Sequence, residues 1–93
     1  MLNLSVIVTT YNRPKLLKET IQSILNQTFT DFELIVVDNN SNYDFFKLIA
    51  EFNDPRIKSF QNDNGGVIAI NRNYGIKKSK GEFLAFCDDD DIW

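Results

Sequence analysis

Short apolar runs alternate with stretches of helical periodicity along the whole chain, and this alternation limits the fold more than any other feature. Runs rich in β-branched and aromatic residues predict strands at Leu4–Thr10, Asp31–Val37, Ile57–Phe60 and Glu82–Cys87. Apolar residues at helical spacing predict helices at Pro14–Leu25, Phe45–Phe52 and Val67–Ser79. Strands joined by helices of this length favour right-handed crossovers and a parallel sheet.

The predicted fold is therefore α/β, with the 93 residues forming one domain. We expect a doubly wound, Rossmann-like parallel sheet of order 3-2-1-4 with helices on both faces. In this order strands one and four are neighbours, and ligands bind at the carboxyl ends of the strands at such a switch point. The residues expected there are the polar endings of three apolar strands: Thr9–Asn12, Asp38–Asn39 and Asp88–Asp91.

The composition excludes several kinds of chemistry. The chain has no histidine and one cysteine, which excludes histidine-based nucleophile pairs, imidazole bases, histidine metal sites, cysteine zinc clusters and an internal disulfide. Any reaction must then rest on carboxylates, backbone amides and a hard cation. We expect Cys87 to be a small core residue.

Charge and hydropathy bear on partners and location. The net charge is −3, and no basic stripe of the kind that binds nucleic acid is present. The chain has no apolar run long enough to cross a membrane and no signal-peptide pattern at its start. We therefore expect a cytoplasmic location and no nucleic-acid partner.

The acidic run Asp88–Asp91 directly follows the fourth predicted strand. Four neighbouring carboxylates repel one another, so their charged form needs a positive partner. Mn²⁺ or Mg²⁺ fits, because both take carboxylate oxygens and complete their shell with water and phosphate oxygens. The alternative is a solvated acidic tail, which the position after a buried strand disfavours.

The other two strand endings allow two interpretations each. Tyr11 offers a ring on which a nucleobase could stack, or it packs over the strand end while Asn12 caps the next helix. The pair Asp38–Asn39 could meet a base edge or a ribose hydroxyl, or close the loop as an Asx-turn. Both interpretations stay open from the residues alone.

Phosphate recognition has one further candidate, Arg72, which follows the pair Gly65–Gly66. A guanidinium group at this place could clamp a diphosphate, or could be a surface cation on an amphipathic helix. Neither a P-loop nor a Gly-x-Gly-x-x-Gly pattern occurs in the chain. Any bound phosphate would thus depend on the cation and Arg72.

Five blocks of the sequence, taken together, resemble family 2 glycosyltransferases of the GT-A fold. They are Ser5–Arg13, Ser23–Phe29, Phe32–Asp38, Gly65–Gly66 with Asn71–Ile76, and Gly81–Trp93. The resemblance covers essentially the whole chain. It implies transfer of a sugar, with inversion, from a nucleotide-diphosphate donor to an acceptor hydroxyl, as in polysaccharide biosynthesis.

The resemblance also implies roles for the candidate residues. Thr9, Tyr11 and the Asp38–Asn39 corner would hold the nucleoside, and Arg72 would lie near the base or the diphosphate. The sequence Asp88-Asp89-Asp90 matches the D-x-D motif of the family. Asp90 would then be a metal ligand, with Asp88 and Asp89 at the ribose or the metal, and the cation would be Mn²⁺ or Mg²⁺.

Two departures from the family pattern bear on the donor and on activity. Many relatives carry a second acid where this chain has Asn39, so the base of the donor stays open among UDP-, GDP- and dTDP-sugars. The general base and the acceptor-binding half of the family lie downstream of the D-x-D motif. We therefore expect residues 1–93 to be the donor-binding portion, with no catalytic base and no transfer alone. The acceptor of the parent enzyme would be a glycan or a lipid-linked sugar, met at the inner face of the membrane.

Two further expectations concern alternatives and assembly. The alternative function is a module that binds nucleotide and divalent cation without turnover. A phosphatase of the haloacid dehalogenase type is disfavoured, because Thr9-Thr10-Tyr11 stands where that chemistry needs an acidic nucleophile. An uncovered apolar edge after the fourth strand predicts self-association through that edge.

Overall fold

The structure, a computed structural model, describes the backbone of residues 4–27, 31–62, 68–80 and 83–88, and the side chains of these except residues 68–72 and 88. The strands are β1 (Leu4–Thr10), β2 (Phe32–Asp38), β3 (Ile57–Gln61) and β4 (Phe83–Asp88). The helices are α1 (Pro14–Leu25), α2 (Phe45–Ala50) and α3 (Ile68–Lys78). Strands and helices thus alternate in the predicted order.

The described strands form one parallel sheet in the order β3-β2-β1-β4, which confirms the predicted topology. Three strands differ from the prediction in their boundaries. β2 begins and ends one residue later than predicted, β3 continues to Gln61, and β4 continues to Asp88. The predicted first residue of β4, Glu82, lies outside the described residues. β2 and β3 extend to Asp38 and Gln61 because these two residues pair with each other in the ladder, although both are polar.

Helices cover both faces of the sheet, as predicted. On one face, α1 and α2 pack against the strands. The buried side chains of helices and strands there form the larger of the two described clusters: Val6, Val8, Leu17, Ile21, Ile24, Phe32, Leu34, Val36, Phe45, Leu48 and Cys87. On the other face, Ile7, Ile35 and Val37 are buried, and Phe60 and Tyr74 pack against them. Cys87 is 4% exposed in the larger cluster, which confirms its expected place in the core.

The helix boundaries follow from local chemistry. α1 begins at Pro14, whose fixed φ suits the first helical position and whose missing N–H is not needed there. Its side chains Leu17, Ile21 and Ile24 point into the core at helical spacing. α2 ends at Ala50, two residues earlier than predicted, and the turn that follows places Asn53 at φ 47°.

Replacing Gly75 with alanine should lower the free energy of unfolding by about 1 kcal/mol, because overpacking a core costs about 1–3 kcal/mol. A Cβ atom on Gly75 would lie 2.6 Å from Cγ2 of Ile7, which is buried in β1. That methyl group is attached directly to the Cβ of Ile7, so it can move away only if this buried side chain leaves its rotamer or the strand shifts. Alanine gains roughly 1 kcal/mol in helix propensity over glycine, which offsets part of this cost.

Urea denaturation of the Gly75→Ala variant measures this effect. The matched control is Asn73→Ala on the exposed side of the same helix, where the propensity gain has no steric opponent and stability should rise slightly. A Gly75→Ala variant more stable than the unsubstituted protein would contradict the packing of α3 on β1.

The strand β4 carries apolar side chains that the described residues leave largely uncovered. Phe83, Leu84 and Phe86 are 63%, 43% and 46% exposed. β4 lies at one edge of the described sheet. Self-association through this edge stays a prediction. Within the described residues, none of the helices has the length and apolar character needed to cross a lipid bilayer.

Candidate functional site

Polar residues gather where β1, β2 and β4 end. The strand register places Thr10 opposite Asp38 and Thr9 opposite Asp88. The backbone N–H of Asn39 donates to the carbonyl oxygen of Thr10 at 3.0 Å, which continues the contact between the two strands into the loop. The three predicted strand endings thus meet at one edge of the sheet, at the backbone level.

Asp38 is the anchor of this edge. Its side chain is fully buried, and its Oδ2 atom accepts hydrogen bonds from the backbone N–H of Ser41 at 2.8 Å and from Nε2 of Gln61 at 3.1 Å. Its Oδ1 atom accepts a hydrogen bond from the hydroxyl of Ser41. The carboxylate therefore closes the loop after β2, as in the Asx-turn interpretation, and also ties that loop to the end of β3.

Ser41 and Asn12 join the loops after β1 and β2, and no pattern in the sequence had singled out Ser41. Oγ of Ser41 accepts from the backbone N–H of Asn12 at 2.8 Å, and Oδ1 of Asn12 accepts from the backbone N–H of Asn42 at 2.8 Å. We call this pair of hydrogen bonds the loop clasp. Asn12 adopts φ 51°, a conformation that asparagine tolerates better than most residues. Its side chain is used in the clasp and does not cap α1, whose N-cap is Arg13 without a side-chain cap bond.

The residues around the clasp differ in their access to solvent. Tyr11, directly before Asn12, is 54% exposed, so its ring does not pack away over the strand end. Thr9 and Asn39 are 9% and 5% exposed. The arrangement presents one open aromatic ring beside a rigid, hydrogen-bonded corner. An aromatic face next to fixed polar groups is a suitable surface for a nucleobase.

The remaining predicted site residues are placed only by their backbone or lie outside the described residues. Arg72 lies on α3, and Asp88 is the last residue of β4. Asp89 and Asp90 lie outside the described residues. Among the residues that the structure describes, no group of three histidine, cysteine, aspartate or glutamate side chains could hold a metal ion. The donor chemistry of Asp88 and the acids that follow it is all-oxygen, which suits Mn²⁺ or Mg²⁺.

A second buried carboxylate, which the sequence did not bring to notice, lies at the opposite end of the sheet. Glu33 is 1% exposed and accepts hydrogen bonds from Oγ of Ser5 at 2.6 Å, from Nζ of Lys58 at 2.8 Å and from the backbone N–H of Lys80. Burial raises the pKa of Glu33, but the hydrogen bonds from Lys58, Ser5 and Lys80 outweigh it and leave the pKa below its ordinary value. The signal in the sequence was an acid inside an otherwise apolar strand.

The sequence of the chain matches the family model described as Glycosyl transferase family 2 over residues 5–93. The chain belongs to this family. The match confirms the resemblance inferred from the five sequence blocks. The parallel sheet of order 3-2-1-4 is that of the GT-A fold, and the enzyme class of the family is glycosyltransferase.

Two curated relatives illustrate the similarity. One is the GalNAc(5)-diNAcBac-PP-undecaprenol beta-1,3-glucosyltransferase of Campylobacter jejuni, 45% identical over 98% of this chain and 30% of the relative. The other is the UDP-Glc:alpha-D-GlcNAc-diphosphoundecaprenol beta-1,3-glucosyltransferase WfgD of Escherichia coli, 38% identical over 96% of this chain and 35% of the relative. The chain thus spans about a third of the length of these relatives.

Solved structures support the fold. The chain aligns with Staphylococcus aureus TarS, residues 1-349, in complex with UDP, at a TM-score of 0.90 and 35% identity, over 98% of this chain and 28% of that one. It also aligns with the mannosyltransferase PcManGT from Pyrobaculum calidifontis, solved with GDP-Man and Mn²⁺, at a TM-score of 0.86. PcManGT is 24% identical over 98% of this chain and 28% of its own, and it bears on the fold alone.

Proposed function

We propose that residues 1–93 form the donor-binding part of an inverting glycosyltransferase that takes a sugar from a nucleotide diphosphate. The observation that carries the proposal is the meeting of three polar strand endings at one edge of a family 2 domain. Ligands of doubly wound sheets bind at such an edge. The complex of the similar TarS with UDP supports a nucleotide as the ligand of this domain.

The nucleoside would lie between Tyr11 and the corner formed by Thr9 and Asn39. Tyr11 has an open ring for stacking, and the amide of Asn39 can both donate and accept at a base edge. Asp38 would hold the corner in shape and would not contact the nucleoside, because its carboxylate already accepts hydrogen bonds from Ser41 and Gln61. The exposed ring and the fixed corner are what favour a nucleoside over a purely polar ligand.

The diphosphate would be held by Arg72 and by a divalent cation. Asp88 and Asp90 are the proposed metal ligands, with Asp88 and Asp89 also toward the ribose. A bound Mn²⁺ or Mg²⁺ neutralises the charge that develops on the departing diphosphate. The strand register supports this proposal by bringing the backbone of Asp88 beside Thr9, at the edge that holds the nucleoside corner.

The acceptor is proposed from the relatives. Two of them are named for transfer onto sugars linked to undecaprenol diphosphate, and we propose a lipid-linked or glycan acceptor of the same chemical class. Among donors, UDP-sugars are the first choice because of the TarS complex with UDP. We propose that the general base lies outside residues 1–93. We also propose that the parent enzyme acts at the cytoplasmic side of the membrane.

Calorimetric titration with UDP, GDP and dTDP, each in Mn²⁺, Mg²⁺ and chelator, tests the proposal. We expect UDP to bind best and to bind more tightly with metal than in chelator. We call the ratio of the UDP affinity in metal to that in chelator the metal gain. Asp90→Asn should remove most of the metal gain, because it deletes one charge from the cation's ligand set. Affinity in chelator should change little.

The matched control is Asp31→Asn, the same chemical change at an exposed residue directly before β2. Asp31 lies at the amino ends of the strands, away from the proposed site at their carboxyl ends. It should leave the metal gain intact. Equal affinities in metal and chelator for the unsubstituted protein would show that the acidic run does not anchor a diphosphate. The absence of binding by all three nucleotides would overturn the donor-site proposal.

A further inference from the structure

We infer that Glu33 is a positioning residue for the metal-binding run: it fixes the start of β4, and so the strand register that places Asp88 beside Thr9. The inference rests on the proposed function only for the role of Asp88. Glu33 itself lies at the far end of the sheet from that edge, in the second position of β2. Its contribution is therefore made through the strand and not by contact with a ligand.

The geometry connects Glu33 to the segment that leads into β4. Its carboxylate accepts the backbone N–H of Lys80, which is 47 residues away in sequence and three residues before β4 begins at Phe83. The same carboxylate is held by Ser5 on β1 and Lys58 on β3. Because Ser5 and Lys58 hold the carboxylate of Glu33 in one position, the backbone N–H of Lys80 can meet it in only one position along the approach to β4.

The side chains of β4 give weak information about its register. Slipping a strand by one residue moves every side chain to the other face, and a strand with apolar residues on only one face resists such a slip. β4 has large apolar residues on both faces, because Leu84 and Phe86 alternate with Phe83 along the strand. All three are more than a third exposed, and the buried Cys87 is small, so neither face specifies the register strongly.

The hydrogen bond from Lys80, three residues before β4, can therefore fix a register that the apolar pattern of β4 does not specify. Buried polar and ionic groups are best attested as devices that set register. A slip of one residue would move Asp88 away from Thr9 and would turn its side chain to the other face of the sheet. The proposed metal and ribose ligands follow directly on this strand.

Two variants in the full chain separate this role from the ion pair. Glu33→Leu removes every acceptor, whereas Glu33→Gln removes the charge but keeps one oxygen for the N–H of Lys80. The register is read from backbone NMR contacts between β1 and β4, and UDP binding is measured in Mn²⁺ and in chelator. We expect Glu33→Leu to lose the native β1–β4 contacts and to reduce the metal gain roughly tenfold, as when partners that orient metal ligands are removed.

We expect Glu33→Gln to keep the register and most of the metal gain. Native β1–β4 contacts in Glu33→Leu, or equal losses of register in both variants, would overturn the inference. If the unsubstituted protein shows no metal gain, the proposed function fails while the register measurement still decides the inference. If Glu33→Leu does not fold, the double variant Glu33→Leu/Lys58→Met is used, because it leaves no unpaired lysine. Its register and metal gain are then compared with those of Lys58→Met alone.

Discussion

Replacing Lys58 with methionine should lower the free energy of unfolding by about 3 kcal/mol at neutral pH, near the lower end of the cost of breaking a buried ion pair. The variant keeps the carboxylate of Glu33 buried while removing its charged partner at 2.8 Å. Hydrogen bonds from Ser5 and Lys80 remain, but they carry no full positive charge. The side chain of Lys58 is 39% exposed, so water can reach its place and limit the loss.

The matched control is Lys18→Met. Lys18 also pairs with a glutamate, Glu51, at 3.2 Å, but the two side chains are 49% and 56% exposed. An exposed pair of this kind contributes about 0–1 kcal/mol. Denaturation of the two variants side by side compares the same substitution in buried and exposed surroundings. Equal losses would show that Glu33 is not a desolvated charge.

The effect of Lys58→Met should depend on pH. The pKa of Glu33 is lowered in the folded protein, so its stabilising contribution is complete above the ordinary glutamate pKa of about 4.3 and is lost as the pH falls through the lower folded value. Without Lys58, its hydrogen bond and its charge no longer lower the pKa of Glu33, which is therefore higher than in the unsubstituted protein. The stability difference between the two proteins should therefore shrink as the pH falls from the Glu33 pKa of the variant to the lower one of the unsubstituted protein, and should reach its minimum once the carboxyl group is protonated in both. A difference that is constant with pH would contradict the ion pair as its source.

Replacing Asp38 with asparagine should cost about 2–3 kcal/mol of stability, because a buried donor loses its acceptor. The carboxylate accepts from Ser41 and Gln61 on both of its oxygens. An amide offers one acceptor oxygen and directs its NH₂ group at another donor. The loop after β2 would then open, and the loop clasp that holds Asn12 would weaken with it.

UDP affinity of the Asp38→Asn variant should fall roughly tenfold, as when outer partners of a site are removed. The control is Asp44→Asn at the N-cap of α2, where Oδ1 of Asp44 accepts from the backbone N–H of Lys47 at 3.1 Å. Asparagine is as good an N-cap as aspartate, so this variant should keep both stability and affinity. Unchanged UDP binding by Asp38→Asn would show that the corner does not shape the nucleoside site.

The fold and the meeting of the polar strand endings were predictable because both depend on local patterns. Apolar runs and helical periods identify the strands and helices, and the handedness of crossovers limits their arrangement. The order 3-2-1-4 then brings Thr9, Asp38 and Asp88 to one edge, as the register confirms. The open ring of Tyr11 agrees with its predicted place in a loop.

The roles of individual polar residues were not predictable, because their partners are distant in sequence. Gln61, which donates to Asp38, is 23 residues away from it, and Asn12 and Ser41 of the loop clasp are 29 residues apart. Periodicity assigns Glu33 to a strand but does not say that Lys58 and Lys80 will meet it. A carboxylate within an apolar strand must be paired if it is buried, and that argument alone could have drawn attention to Glu33.

The packing of α3 on the sheet has a consequence for donor binding. On this face Ile7, Ile35 and Val37 are buried, and Tyr74 of α3 packs against them. Arg72 lies on the same helix. A diphosphate held by Arg72, as proposed, would therefore stabilise the docked helix by mass action. Under this proposal, donor binding and the docking of α3 on the sheet form one linked equilibrium.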